Sequence, residues 1–156
     1  MELLVIPKGN KFTVSDKKSR LLYTIKKKAF GGKYILLDAS NYELYTFSEI
    51  SSGKKPAFEI LLNDSKFMNV RCLSLFLDPS IEFENNKTKF ILKSKDRKNF
   101  IIVNSSNEEI GSLEAVTNVS GEIQYEIVID NKYFDDYIPF FALAVERAFG
   151  DMNKSK

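Results

Sequence analysis

The chain has 156 residues, enough for one domain with a sizeable core, and its 44% apolar and 28% charged content excludes disorder. Its 23 basic and 21 acidic side chains leave a net charge of +2, too balanced for nucleic-acid or membrane binding driven by overall charge alone. There is no histidine, so the commonest general base and the commonest zinc ligand are missing together.

In chain order, the first apolar run, LLVI (3–6), is too short for a signal peptide and lacks a basic flank. No later stretch approaches the ~18 apolar residues of a membrane span. The chain is therefore expected to be cytoplasmic, with no transmembrane segment. KFTVS (11–15) alternates as a strand and turns at Asp16-Lys17-Lys18-Ser19. LLYTIKK (21–27) follows and turns at Gly31-Gly32. KYILLD (33–38) and YELYTFSEI (42–50) flank the turn Ala39-Ser40-Asn41.

A longer break, Ser51 to Pro56, comes near mid-chain. AFEILL (57–62) and FMNVRCLSLFL (67–77) are the next predicted strands. The single cysteine, Cys72, lies in the second of them and reads as a small buried side chain, with no histidine to activate it as a nucleophile. KFILKS (89–94), FIIVN (100–104), EIGSLEAVTNV (109–119) and EIQYEIVID (122–130) complete the series. In the last of these, Ile123, Tyr125, Ile127 and Ile129 share one face, and Glu122, Gln124, Glu126 and Asp130 share the other. The spacing predicts roughly ten to twelve strands.

The chain then changes period. DDYIPFFALAVERAFG (135–150) predicts a helix over about 136–149, capped by Asp135 or Asp136, with Pro139 in its first turn and Gly150 just past its end. From Tyr137 to Val145 it carries no charge. A helix apolar on all sides must be buried on all sides. Sheet is the only material left to surround it, so the pattern predicts a closed barrel with the helix inside. Glu146 and Arg147 are expected at the barrel mouth, because an unpaired buried charge is costly. Residues 1–150 form one predicted domain, and 151–156 a flexible tail.

The segment YEIVIDNKYFDDYIPFFALAVERAF and the opening FTVSDKKSRLLYTIKK…GGKYILLDASNYELYTF resemble LURP-one-related proteins. That resemblance implies the tubby C-terminal-like fold shared with phospholipid scramblases: about twelve strands closed around a hydrophobic C-terminal helix. One departure is that the family's first turn often reads Asp-Glu-x-Gly, where this chain has Asp16-Lys17-Lys18-Ser19.

Tubby domains bind phosphoinositide headgroups through surface Lys and Arg. The resemblance therefore implies a headgroup site among Lys26, Lys27, Lys28 and Lys33, with Lys17 and Lys18 in a neighbouring hairpin. Solvated strand ends are the simpler account of the same lysines. Asp130, Asp135 and Asp136 are candidate Ca²⁺ ligands beside the helix start, the region where scramblases are thought to bind Ca²⁺; helix capping explains two of them more simply. No catalytic signature is present and no cofactor is expected. The expectation is a non-enzymatic binding or scaffold protein, peripheral at the membrane, whose partner is an anionic lipid or another protein. The alternatives are a pleckstrin-like small barrel with a helix plugging one end, and an enzyme with a novel site.

Overall fold

The computed structural model describes residues 1–29, 31–51 and 54–154. Ser52 and Gly53 of the mid-chain break, and 155–156 of the tail, lie outside the described residues. Among the described residues there are twelve strands: β1 (Glu2–Lys8), β2 (Lys11–Ser15), β3 (Leu21–Lys27), β4 (Lys33–Asp38), β5 (Glu43–Ser51), β6 (Ala57–Leu62), β7 (Ser65–Ser74), β8 (Ser80–Glu84), β9 (Lys89–Ser94), β10 (Asn99–Val103), β11 (Glu109–Thr117) and β12 (Ile123–Ile129). Each pairs antiparallel with its neighbour in sequence, and β1 pairs with β12 to close the barrel. No strand edge is left to template aggregation. Twelve strands overturn the small pleckstrin-like alternative.

Four of the hairpins close by one device. The side chains of Asp16, Asp38, Asn104 and Asn118 each accept backbone N–H groups two and four residues on. The residue three on adopts a left-handed conformation: Ser19 at φ 62°, Asn41 at 65°, Asn107 at 63° and Gly121 at 83°. Asx side chains fold the turn, and the left-handed residue supplies the bulge. Ser19 thus takes the position where the family pattern has glycine, and the hairpin still forms. Gly111, in β11, answers a different need. A Cβ there would lie 2.2 Å from the Val128 carbonyl oxygen of β12.

Helix α1 (Phe140–Lys154) fills the barrel. It begins later than the predicted 136–149, and neither Asp135 nor Asp136 caps it. Residues 136–139 form tight turns instead, with the carbonyls of Tyr137, Ile138 and Pro139 accepting from the third residue on at 2.9–3.2 Å. It also runs past Gly150, which is not a C-terminal stop, and takes in Asp151–Lys154 of the predicted tail. A glycine costs only about 1 kcal/mol inside a helix. Two observed contacts favour continuing: Ala148, Phe149 and Gly150 are buried, and Asn153 donates to the Arg97 carbonyl at 2.8 Å.

From Phe140 to Val145 every residue is buried. Phe140 packs on Phe47 of β5, Phe141 on Phe83 of β8 and Phe90 of β9, and Phe149 on Phe100 of β10. The ring contacts reach strands on several sides, which is why the helix needs no polar face. Cys72 is buried in the same core, with its thiol raised above the ordinary range by burial.

Candidate functional site

Because every strand reverses the last, the connections alternate between two ends of the barrel. The turns at 16–20, 39–42, 63–64, 85–88 and 104–108 share one end with the start of α1; we call this the foot. The connections that leave β1, β3, β5, β7, β9 and β11 share the other end with the helix C-terminus; this is the rim.

That alternation splits the predicted headgroup site. Lys26, Lys27, Lys28 and Lys33 lie together at the rim, where the Lys28 N–H donates to the Lys33 carbonyl at 2.8 Å. Lys17 and Lys18 lie at the foot, one strand length away, roughly 20 Å at the usual rise per residue. Lys17 pairs there with Glu2. The six lysines do not form one site.

The structure supplies two lysines in their place. Lys8 lies directly opposite Lys11, and Lys11 directly opposite Lys26, across β1, β2 and β3. Val5, Val14 and Ile25 point into the core, and all three lysines are exposed on the outer face. Lys28 and Lys33 continue the patch across the next hairpin. Among the described residues none of these lysines is in an ion pair. Between Gly9 and Lys33 the sequence holds a single carboxylate, Asp16, and it is at the foot. Glu49 of β5, beside Gly32, is taken by Arg147 of α1 at 2.8 Å. Lysines directly opposite one another repel, so the ladder costs the fold stability. Its signal is present in the sequence: the short turn Gly9-Asn10 places Lys8 across from Lys11.

Arg147 is exposed near the rim, where it pairs with Glu49, but the helix does not emerge there: Glu146 is half-buried, and Ala148, Phe149 and Gly150 after it are buried. Glu146 accepts the hydroxyl of Tyr125, a fully buried ring of β12. Burial and the Glu146 charge push that phenol far above its ordinary range.

The three predicted metal ligands are used separately. Asp130 accepts from the Lys132 N–H at 3.1 Å and caps a short 3-10 turn at Asn131–Tyr133. Asp135 accepts from the Asp136 N–H at 2.6 Å, and Asp136 accepts the Tyr23 hydroxyl at 2.5 Å. Among the described residues no three His, Cys, Asp or Glu side chains converge as a metal site. No helix of the described residues is long and apolar enough to cross a membrane.

A family model, described as LURP-one-related, matches residues 2–145. The fold is similar to an X-ray structure of a protein from Arabidopsis thaliana, with a TM-score of 0.62 at 19% identity, covering 97% of this chain and 90% of that one. At that identity the likeness speaks for the fold alone. No curated protein matches the sequence.

Proposed function

This chain belongs to the LURP-one-related family, and from that premise we propose that it is a non-enzymatic binding protein whose rim docks on anionic phospholipid headgroups. The ladder Lys8–Lys11–Lys26 carries the reading. Repulsion between facing lysines is a cost to the isolated fold, and a polyanion laid across them would relieve it. Near an anionic bilayer each lysine contributes about 1 kcal/mol, and the attraction fades within a Debye length. The non-enzymatic part is supported by the absence of histidine from the sequence and by a barrel interior packed with α1 and core side chains. Anionic lipid faces the cytoplasm, which agrees with a cytoplasmic, peripheral location.

Co-sedimentation with phosphatidylserine-containing vesicles tests it. The protein should pellet with them at low salt, should be released as salt rises, and should ignore purely zwitterionic vesicles. Replacing Lys8, Lys11 and Lys26 by Gln should abolish most of the binding. A wild-type protein that stays in the supernatant at low salt would sink the lipid reading and leave a protein partner.

A further inference from the structure

The rim carries a second feature that the lysines do not explain. The loop from β7 to β8 turns two adjacent large apolar side chains into solvent: Phe76 is 70% exposed and Leu77 is 85% exposed. Single exposed apolar residues need no explanation, whereas adjacent ones form a contiguous apolar patch of the kind that is often functional. The loop is held in this shape. The Ser74 hydroxyl donates to the Leu77 carbonyl, and the Ser94 N–H donates to the Pro79 carbonyl at 2.9 Å. Leu75 packs down on the core, which leaves its neighbour Phe76 facing outward. Beneath the loop, a groove of about 690 Å³ on the outer wall is lined in part by Leu73, Ile91 and Ile101, with Lys93 and Lys95 and the carboxylates Asp78 and Asp96 among its walls. The apolar tip is bordered by charges of both signs and shares one end of the barrel with the lysine ladder.

We propose that Phe76 and Leu77 form a wedge that enters the boundary between headgroups and acyl chains of an anionic membrane. The barrel then stands end-on, with the C-terminus of α1 toward the bilayer. This rests on the headgroup reading and adds its apolar half. Apolar insertion and electrostatic attraction together give the stable interfacial anchoring that neither gives alone. Charge selects the membrane over a second copy of the chain, because pairing two rims would bring two lysine-bearing ends together.

The chain has no tryptophan, so Phe76→Trp places a single indole reporter at the wedge. With phosphatidylserine-containing vesicles its emission should shift to the blue, and brominated acyl chains should quench it. The double variant Phe76→Ser/Leu77→Ser should melt like the wild type, since both side chains lie outside the core. It should lose about tenfold or more in vesicle partitioning, and what remains should vanish as salt rises. Binding with no shift in the indole emission, and with an unaffected double variant, would overturn the wedge and leave the lysine reading standing. No vesicle binding at low salt would overturn both. A blue shift that grows with protein concentration in the absence of vesicles would assign the tip to self-association and overturn the wedge.

Discussion

At the foot of the barrel, acidic side chains are absorbed into structure. Asp16, Asp38, Asp130, Asp135 and Asp136 each accept a hydrogen bond from a turn, from the backbone beside the helix start, or from a buried tyrosine. At the rim, Lys8, Lys11, Lys26, Lys27, Lys28 and Lys33 make no side-chain hydrogen bond or ion pair among the described residues. The connections repeat the contrast. Those at the rim hold six basic and three acidic residues; those at the foot, with 130–139, hold five and six. The +2 net charge averages two ends of different character, so a near-neutral total conceals a polar molecule. Acidic charge at the foot is tied to the fold, whereas the lysines of the rim ladder are available to a ligand; the rim's Glu49, Arg147 and Asp96 are tied down as the foot is.

The largest expected effect removes the plug that both ends share. Leu143→Asp should abolish folding. The side chain is 1% exposed, and an unpaired carboxylate there costs several kcal/mol against a total stability of about 5–15 kcal/mol. A soluble, cooperatively melting variant would show that the helix has a wet face, and the foot-to-rim axis would lose its meaning.

Next comes a test of how tightly the foot is built. Gly111→Ala should destabilise by about 3 kcal/mol, because the added methyl meets the Val128 carbonyl oxygen and backbone must move. An unchanged chemical-denaturation midpoint would refute that tight β11–β12 approach.

Alkali should loosen the foot through its tyrosines. Burial, with the Asp135 and Asp136 charges, pushes Tyr45 up to about 12; burial and the Asp136 bond raise Tyr23, and burial with the Asp135 charge raises Tyr137. A folded pKa above the unfolded value of about 10 gives stability that is full below pH 10 and is lost as pH climbs toward 12. Thermal melts across that range should fall more steeply for the wild type than for Tyr45→Phe; parallel curves would argue against this coupling.

The smallest effect has the opposite sign. Replacing Lys8, Lys11 and Lys26 by Gln should leave the fold intact and stabilise it by about 0.2–1 kcal/mol, with the gain shrinking as salt screens the wild-type repulsion. A lower melting temperature at low salt would mean that these lysines serve the fold, and the contrast between the ends would collapse.

Alternation makes most of the barrel legible: ten of the twelve strands stand out as runs between turns. The other two hide for physical reasons. LLVI of β1 reads as a continuous apolar run, and SIEFE of β8 is short and sits between Pro79 and Asn85. β7 ends earlier than its apolar run, so Phe76 and Leu77 read as strand although they belong to the loop. The helix is evident from its lack of charge, but its ends depend on contacts such as Asn153 with Arg97, which no local pattern encodes. The lysine patch is half legible. Lys17 and Lys18 are near Lys26 in sequence and far from it in space, because they sit in the turn of the β2–β3 hairpin and Lys26 at its open end, a strand length away. Lys8 and Lys11 need the pairing register.

The closing of β1 on β12 sets the order in which such a molecule can assemble. Eleven of its twelve ladders join neighbours in sequence and can form as successive hairpins. The last must bring Glu2 to Val128, across nearly the whole chain, and it can gain little until the rest is in place. The helix follows β12, and a closed barrel offers no route for Phe140, Phe141 and Phe149 to enter from one end. A sheet that wraps the helix before β1 meets β12 avoids that passage. The long closing ladder predicts folding that is slow relative to hairpin formation.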